Sequence, residues 1–303
     1  MEPSERLLRS SILHSAIETP QERKPNMSET ENQTTEPSPS NGAPQTQNEQ
    51  AAIEEPARLG PLSRLTGTLL SPGETFVDVN RKPTWLAPMI IGVITIIASS
   101  LFLTWRVHPN WDEIIRNQVK KRMEKSNQSI PEDQLQQQIN IGKTIAKFYP
   151  IIGAIFMPII YVVVGGIFAL GMMLIQAKTT FKKILSVVSW TFAAMGLLGA
   201  IVMMASLMVR DEEGLRNIDP TQASGIVPTN LAVFLASDAS PVIKAIAGSL
   251  DVFSIWTLIL LSIGFAAIAG SKKITTGKTA TVVFGFWLVL VVVKVGWAAM
   301  FGA

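Results

Sequence analysis

The sequence predicts an all-α polytopic membrane protein: five transmembrane helices with amphipathic interfacial helices and a disordered N-terminal tail. Three observations carry that prediction. Hydrophobic residues make up 48% of the 303-residue chain and concentrate after residue 60, so a polar tail separates from a lipid-soluble body. The last fifth holds two apolar runs, Asp251–Gly270 and Thr279–Ala303, joined by a short turn with Lys272, Lys273 and Lys278. Each run is about a bilayer thickness of helix, and a cationic turn between two spans faces the cytoplasm. Finally, the chain has no cysteine and two histidines, which excludes disulfides, thiolate catalysis and a multi-histidine metal site.

Residues 1–60 form the tail. Glu, Ser, Thr, Pro, Asn and Gln dominate from Glu18 to Pro56, a composition that cannot bury enough apolar surface to offset ordering entropy. The apolar run at the beginning is short and broken by Arg9, unlike a secretory signal. Met27 opens an ordinary start, so the native chain begins at either Met1 or Met27. The glycosylation-type string at Asn32 is near chance in so Asn- and Thr-rich a tail.

The membrane domain is expected over residues 61–303, with spans at about 85–105, 150–176, 184–209, 251–270 and 280–301. Leu62, Leu65, Leu69 and Leu70 recur at helical spacing until Pro72-Gly73, which predicts a short amphipathic helix lying on the membrane surface, with a turn restarting over Glu74–Val79. Trp85 and Trp105 bracket the first span, and Arg81 and Lys82 before it place the N-terminus inside. Between the first two spans, Asn110 caps one amphipathic helix, and Ser129-x-x-Glu132 opens a second through Leu135 and Ile139. The lysines and arginines of this loop run against its outer placement. The second span carries Pro158, Gly165 and Gly166, read either as a hinge or as ordinary helix packing. Lys178, Lys182 and Lys183 make the next turn cytoplasmic. Small residues four apart, at Gly165/Ala169, Ser189/Ala193 and Gly196/Ala200, are expected to seat neighbouring helices closely. The loop from Arg210 to Leu250 is acidic, fits an outer location and leads through Ser240-Pro241 into a short helix. Asp211-Glu212-Glu213 reads as a solvated turn before it reads as a cation site.

Lys294 is the one charge inside the last span, and insertion scales put the cost of such a residue at about 2.5–3.5 kcal/mol. Two outcomes are expected: a contact with Asp251 that pins the hairpin, or snorkelling to the outer headgroups.

Several strings resemble the Yip family of multi-spanning membrane proteins, named for interaction with Ypt/Rab GTPases. They are LLSPGETF with Pro72 and Phe76, DVFSIWTLILLSIGFAAIAG with Phe253 and Trp256, and GFWLVL at Gly285–Leu290. The Asp-Leu-Tyr-Gly-Pro string of the eukaryotic trafficking members is absent, so the resemblance is to a prokaryotic-type member. It implies a helical membrane bundle without catalytic residues. The resulting expectation is a non-enzymatic scaffold or adaptor of the bacterial inner membrane, N-terminus cytoplasmic and C-terminus outside. Its partners would be the bilayer, proteins that engage the tail and a second copy of the chain. No cofactor, metal or nucleic acid is expected. A transporter or channel component using Lys294 and the Pro158-interrupted span is the alternative; the spans hold no second ionisable group for a relay and no inverted repeat.

Overall fold

The computed structural model describes residues 59–126, 131–216, 218, 226–236 and 238–302, all within one unit of the chain. Nearly all of the expected tail, Met27, Asn32 and Ser129 lie outside the described residues. The helices are α1 (Pro61–Leu70), α2 (Pro72–Arg81), α3 (Leu86–Val107), α4 (Trp111–Ser126), α5 (Glu132–Leu174), α6 (Phe181–Met208) and α7 (Glu212–Arg216). A 3-10 turn at Leu231–Phe234 precedes α8 (Pro241–Ala247), α9 (Val252–Ile268) and α10 (Thr276–Phe301).

Four of these, α3, α5, α6 and α10, are long and apolar enough to cross a membrane. The predicted fourth span corresponds to α9, an apolar helix of 17 residues. Its length of about 25 Å falls short of the ~30 Å hydrocarbon core and sits at the lower limit for spanning. Both of its ends are fixed by chemistry. Asp251 accepts the Ser254 amide at 2.9 Å as an N-cap. Gly270 turns the chain out of the other end with φ of 68°.

Two expectations are corrected. The leucine-rich stretch before the first span, α1, ends where expected, and the restart beyond it is a full second helix, α2, rather than a turn; the two divide at Ser71 because proline occupies the first turn of each. They are not spread over a surface: Leu65, Phe76 and Val79 are buried in the main core with α6 and α9 residues. The second correction concerns the loop between the first two spans. Its second helix and the second span are one helix, α5, of 43 residues. At about 64 Å it is roughly twice as long as the hydrocarbon core is thick. Pro150 and Pro158 lie inside it without ending it. Each removes an amide donor from the helix, and the polar first half is held against α4. Leu135 and Ile139 bury against Val119 of α4, and ion pairs join Arg116 to Glu132 at 3.0 Å and Lys143 to Asp112 at 2.8 Å. The start of α4 is as expected, with the Glu113 amide donating to Asn110 Oδ1 at 3.4 Å.

The core between α5, α6, α9 and α10 is apolar, with Phe168 set 5.0 Å from Phe265 between ring centroids and Trp190 almost fully buried. Thr279 of α10 donates to the Ser262 carbonyl of α9 at 2.6 Å, an interhelical bond inside the bundle. Of the small-residue pairs, Ser189 and Ala193 are buried, whereas Gly196 faces open space and seats no helix.

The two lysine turns meet at one end of the bundle, where the Lys178 amide donates to the Ala269 carbonyl at 2.9 Å. Gly270 lies directly against the Lys178 carbonyl, so a Cβ there would collide with backbone in an already left-handed conformation. Gly270→Ala is therefore expected to cost about 1–3 kcal/mol, read as a lowered melting point in detergent. An unchanged melting point would show that the two turns are not locked together.

Candidate functional site

The most highly organised polar cluster lies at the lysine-turn end. Arg64 of α1 and Asp78 of α2 form an ion pair, Nη2 to Oδ2 2.8 Å, with side chains 3% and 5% exposed. Arg64 Nε also donates to Asp78 Oδ2 at 2.9 Å, Nη2 to the Asp78 carbonyl at 3.2 Å, and Nη1 to the Lys82 carbonyl at 3.1 Å. Its Nη1 further donates to Thr84 Oγ1 at 2.7 Å, and Thr84 accepts the indole N–H of Trp190 at 3.3 Å. The guanidinium carbon stands 5.9 Å from the Trp190 ring centroid, a cation–π contact. A planar fork of donors suits this task, since it serves a carboxylate and several carbonyls in fixed directions at once. The cluster fastens α1 and α2 to the start of α3 and to α6. Every strong group in it is already engaged, so its chemistry is that of a clasp.

At the opposite end, Asp251 and Lys294 do not find each other. Asp251 accepts from Thr229 Oγ1 through Oδ2 and from the Ser254 amide through Oδ1. It also forms an isolated antiparallel bridge with Asn230, so it ties the preceding loop to the start of α9. Lys294 Nζ instead donates to Ser249 Oγ at 3.2 Å, two residues before the aspartate. The expected Lys294–Asp251 contact is thus replaced by a neutral partner, because capping α9 and holding Thr229 engage both carboxylate oxygens. The acidic string opens the short helix α7 instead of forming a turn: Asp211 accepts the Gly214 amide at 2.8 Å, and Arg216 approaches Glu212 at 3.9 Å. Among the described residues no group of three His, Cys, Asp or Glu could hold a metal ion.

Comparison with known proteins settles the family. The sequence matches the Yip1 domain family over residues 66–298. This chain belongs to the Yip1 family. It is also 24% identical over 226 residues to "Membrane protein YknW" of Bacillus subtilis (strain 168), covering 74% of this chain and 87% of the relative. No solved structure matches.

The Yip1-like motif residues take unequal places. Pro72 starts α2, and Phe76 is fully buried with its ring against Gly264 of α9. Phe253 is half-buried near the start of α9, and Trp256 is 38% exposed on the same helix. In α5, Gly165 lies close enough to α6 that a Cβ would touch Leu185 at 3.5 Å and Phe181 at 3.6 Å. Gly166 faces open space and Pro158 is half-buried in continuous helix. The Gly165 contacts are ordinary van der Waals distances, so packing requires glycine at neither position in this geometry. Sequence reasoning missed Arg64 and Asp78 as a pair. The available signal was a single charge on the apolar face of each short helix, of opposite sign: Arg64 beside Leu65 and Thr68, Asp78 beside Thr75 and Val79.

Proposed function

We propose that this Yip1-family membrane protein is a non-enzymatic scaffold or adaptor, with residues 1–60 as a cytoplasmic arm for protein partners and residues 61–303 as a five-span membrane domain. The observation that supports it most is the way the buried charges are used. Arg64 and Asp78 are the buried charged residues among those described, and they are bonded to each other and to backbone rather than lining a path. The extra length of α5, braced by α4, supports a second presenting surface on the far side of the membrane. On this reading the two lysine turns lie in the cytoplasm of a bacterial cell, with α9 as the fourth span and the C-terminus outside. The transport alternative draws on Lys294 and Pro158. It is weakened by the neutral Ser249 partner of the first and the unbroken helix at the second.

The test is a mild-detergent affinity purification of the full chain and of the chain lacking residues 1–60, with proteins identified in both. A reproducible protein that co-purifies with the full chain and is lost with the tail is the expected result. Recovery of the same proteins in both preparations, or of this chain alone, would overturn the tail's role as an arm. A second copy in either preparation would report self-association.

A further inference from the structure

One face of α5 stays uncovered along most of its length. Ile141, Ile145 and Phe148 open it in the polar half of the helix, before Pro150. Ile152, Ile155, Ile159 and Val162 continue it beyond, and Gly166 closes it. The steps between these positions alternate four and three residues without a break. The seven large side chains are 37–60% exposed, and a Cβ at Gly166 would meet nothing. Other sides of α5 make its contacts: Leu135 and Ile139 pack on α4, and Met157 and Tyr161 on Met89 of α3 and Leu185 of α6. A mean spacing of 3.5 residues is the repeat of two helices wound about each other with interlocking side chains. Charge follows the same pattern. The charged residues from 132 to 149 are Glu132, Asp133, Lys143 and Lys147, and all of them stand off the seam. Two are already paired to α4, Glu132 with Arg116 and Lys143 with Asp112. Traced backwards, the alternation reaches Gln138 and Gln134, whose neutral amides donate and accept at once. The face therefore fits an uncharged, helical partner with the same repeat across both polar and apolar sequence. Lipid chains would cover the apolar half and leave the start of the seam to water, and a charged peptide would find no counter-charge on it. A second α5 meets every condition. Two copies inserted the same way round are related by a two-fold axis along the membrane normal, which sets each seam residue against its own copy.

We propose that this face of α5 is the interface between two copies of the chain, parallel and in register, with Ile141, Ile145 and Phe148 interlocked at its polar end. The proposal gives the second copy expected from the sequence a surface. It rests on the reading of α5 as a span and not on the tail as an arm, so it stands or falls separately from the loss of partners with residues 1–60. From Ile141 to Gly166 the seam runs about 38 Å, which gives the unusual length of α5 a use. α4 then braces each copy from the side and leaves the seam open.

The test exploits a chain without native cysteine. Ile141→Cys, Ile145→Cys and Phe148→Cys are placed singly in the full chain, oxidised in isolated membranes and separated without reductant. In a parallel pair each seam cysteine meets its own copy with Cα atoms about 6 Å apart, within disulfide reach. All three are expected to give a disulfide-linked dimer, about tenfold more than Gln136→Cys and Lys147→Cys at outward positions. Adding Ile145→Lys to Phe148→Cys should lower the dimer about tenfold, since it sets two ammonium groups face to face. Ile145 is 53% exposed in the single chain, so that variant should still elute as one sharp peak. Equal cross-linking at seam and outward positions would report random collision and overturn the proposal. No dimer at any of the three seam positions would overturn it as well, as would a dimer indifferent to Ile145→Lys. A cross-linked product containing a different protein would assign the face to that protein and overturn the pairing of copies.

Discussion

Arg64→Ala is expected to destabilise the bundle by about 3–5 kcal/mol, among the largest single effects available in this chain. The reason is what it leaves behind. Asp78 stays buried at the junction of α1, α2 and α6 with its carboxylate deprived of the guanidinium, and the Lys82 carbonyl and Thr84 lose a donor. Asp78→Ala should cost a similar amount by stranding the arginine. The double variant Arg64→Leu/Asp78→Leu should fall far short of the sum, because it removes both charges and refills the space with apolar side chains. Melting in detergent, followed by loss of the monodisperse peak in size-exclusion chromatography, measures all three. A single substitution costing less than about 1 kcal/mol, in the range of exposed pairs, would mean that the clasp is solvated.

Phe76→Ala is expected to cost about 3–5 kcal/mol by a different mechanism. Its ring is fully buried between α6 and α9, against the bare face of Gly264, where a Cβ would lie 3.2 Å from the ring and 2.5 Å from Val187. That glycine leaves room for the ring, so truncation opens a cavity between rigid helices that cannot close around it. Val77→Ala, one residue along and 45% exposed, serves as the control and should change stability by no more than about 0.5 kcal/mol. Equal melting points for the two variants would contradict the placement of α2 inside the core.

The long apolar helices were legible in the sequence because each is written as a long run with at most one charge inside it, and α3, α6 and α10 start and stop within a few residues of expectation. The lysine turns were legible for the same reason in reverse. What stayed hidden depended on residues brought together from a distance. Residues 131–149 are polar and residues after Pro150 are apolar, so the change of composition read as a break. The helix runs through because α4 packs along its first half. Arg64 and Asp78 are fourteen residues apart across a helix boundary, and either alone reads as a surface charge. Lys294 stood out in the sequence as the one charge in the last span. Of the two outcomes the sequence left open for it, the Asp251 contact is not formed, because capping α9 and holding Thr229 engage both carboxylate oxygens and Lys294 meets Ser249.

The central claim is that this Yip1-family chain forms a closed, dry bundle with its lysine turns in the cytoplasm, and cysteine accessibility tests it most directly. The chain has no native cysteine, so each single-cysteine variant reports without background. The bundle interior offers two sensitive probes, since the buried hydroxyls of Ser189 and Thr191 in α6 have no hydrogen-bond partner and would be the first to meet internal water. A membrane-impermeant maleimide should label Asn117→Cys and Asp238→Cys in intact cells. It should label Gly73→Cys and Lys273→Cys only after permeabilisation, and Ser189→Cys and Thr191→Cys under neither condition. Labelling of Lys273→Cys in intact cells would contradict the orientation. Labelling of Ser189→Cys or Thr191→Cys would reveal an aqueous path through the bundle and contradict the scaffold.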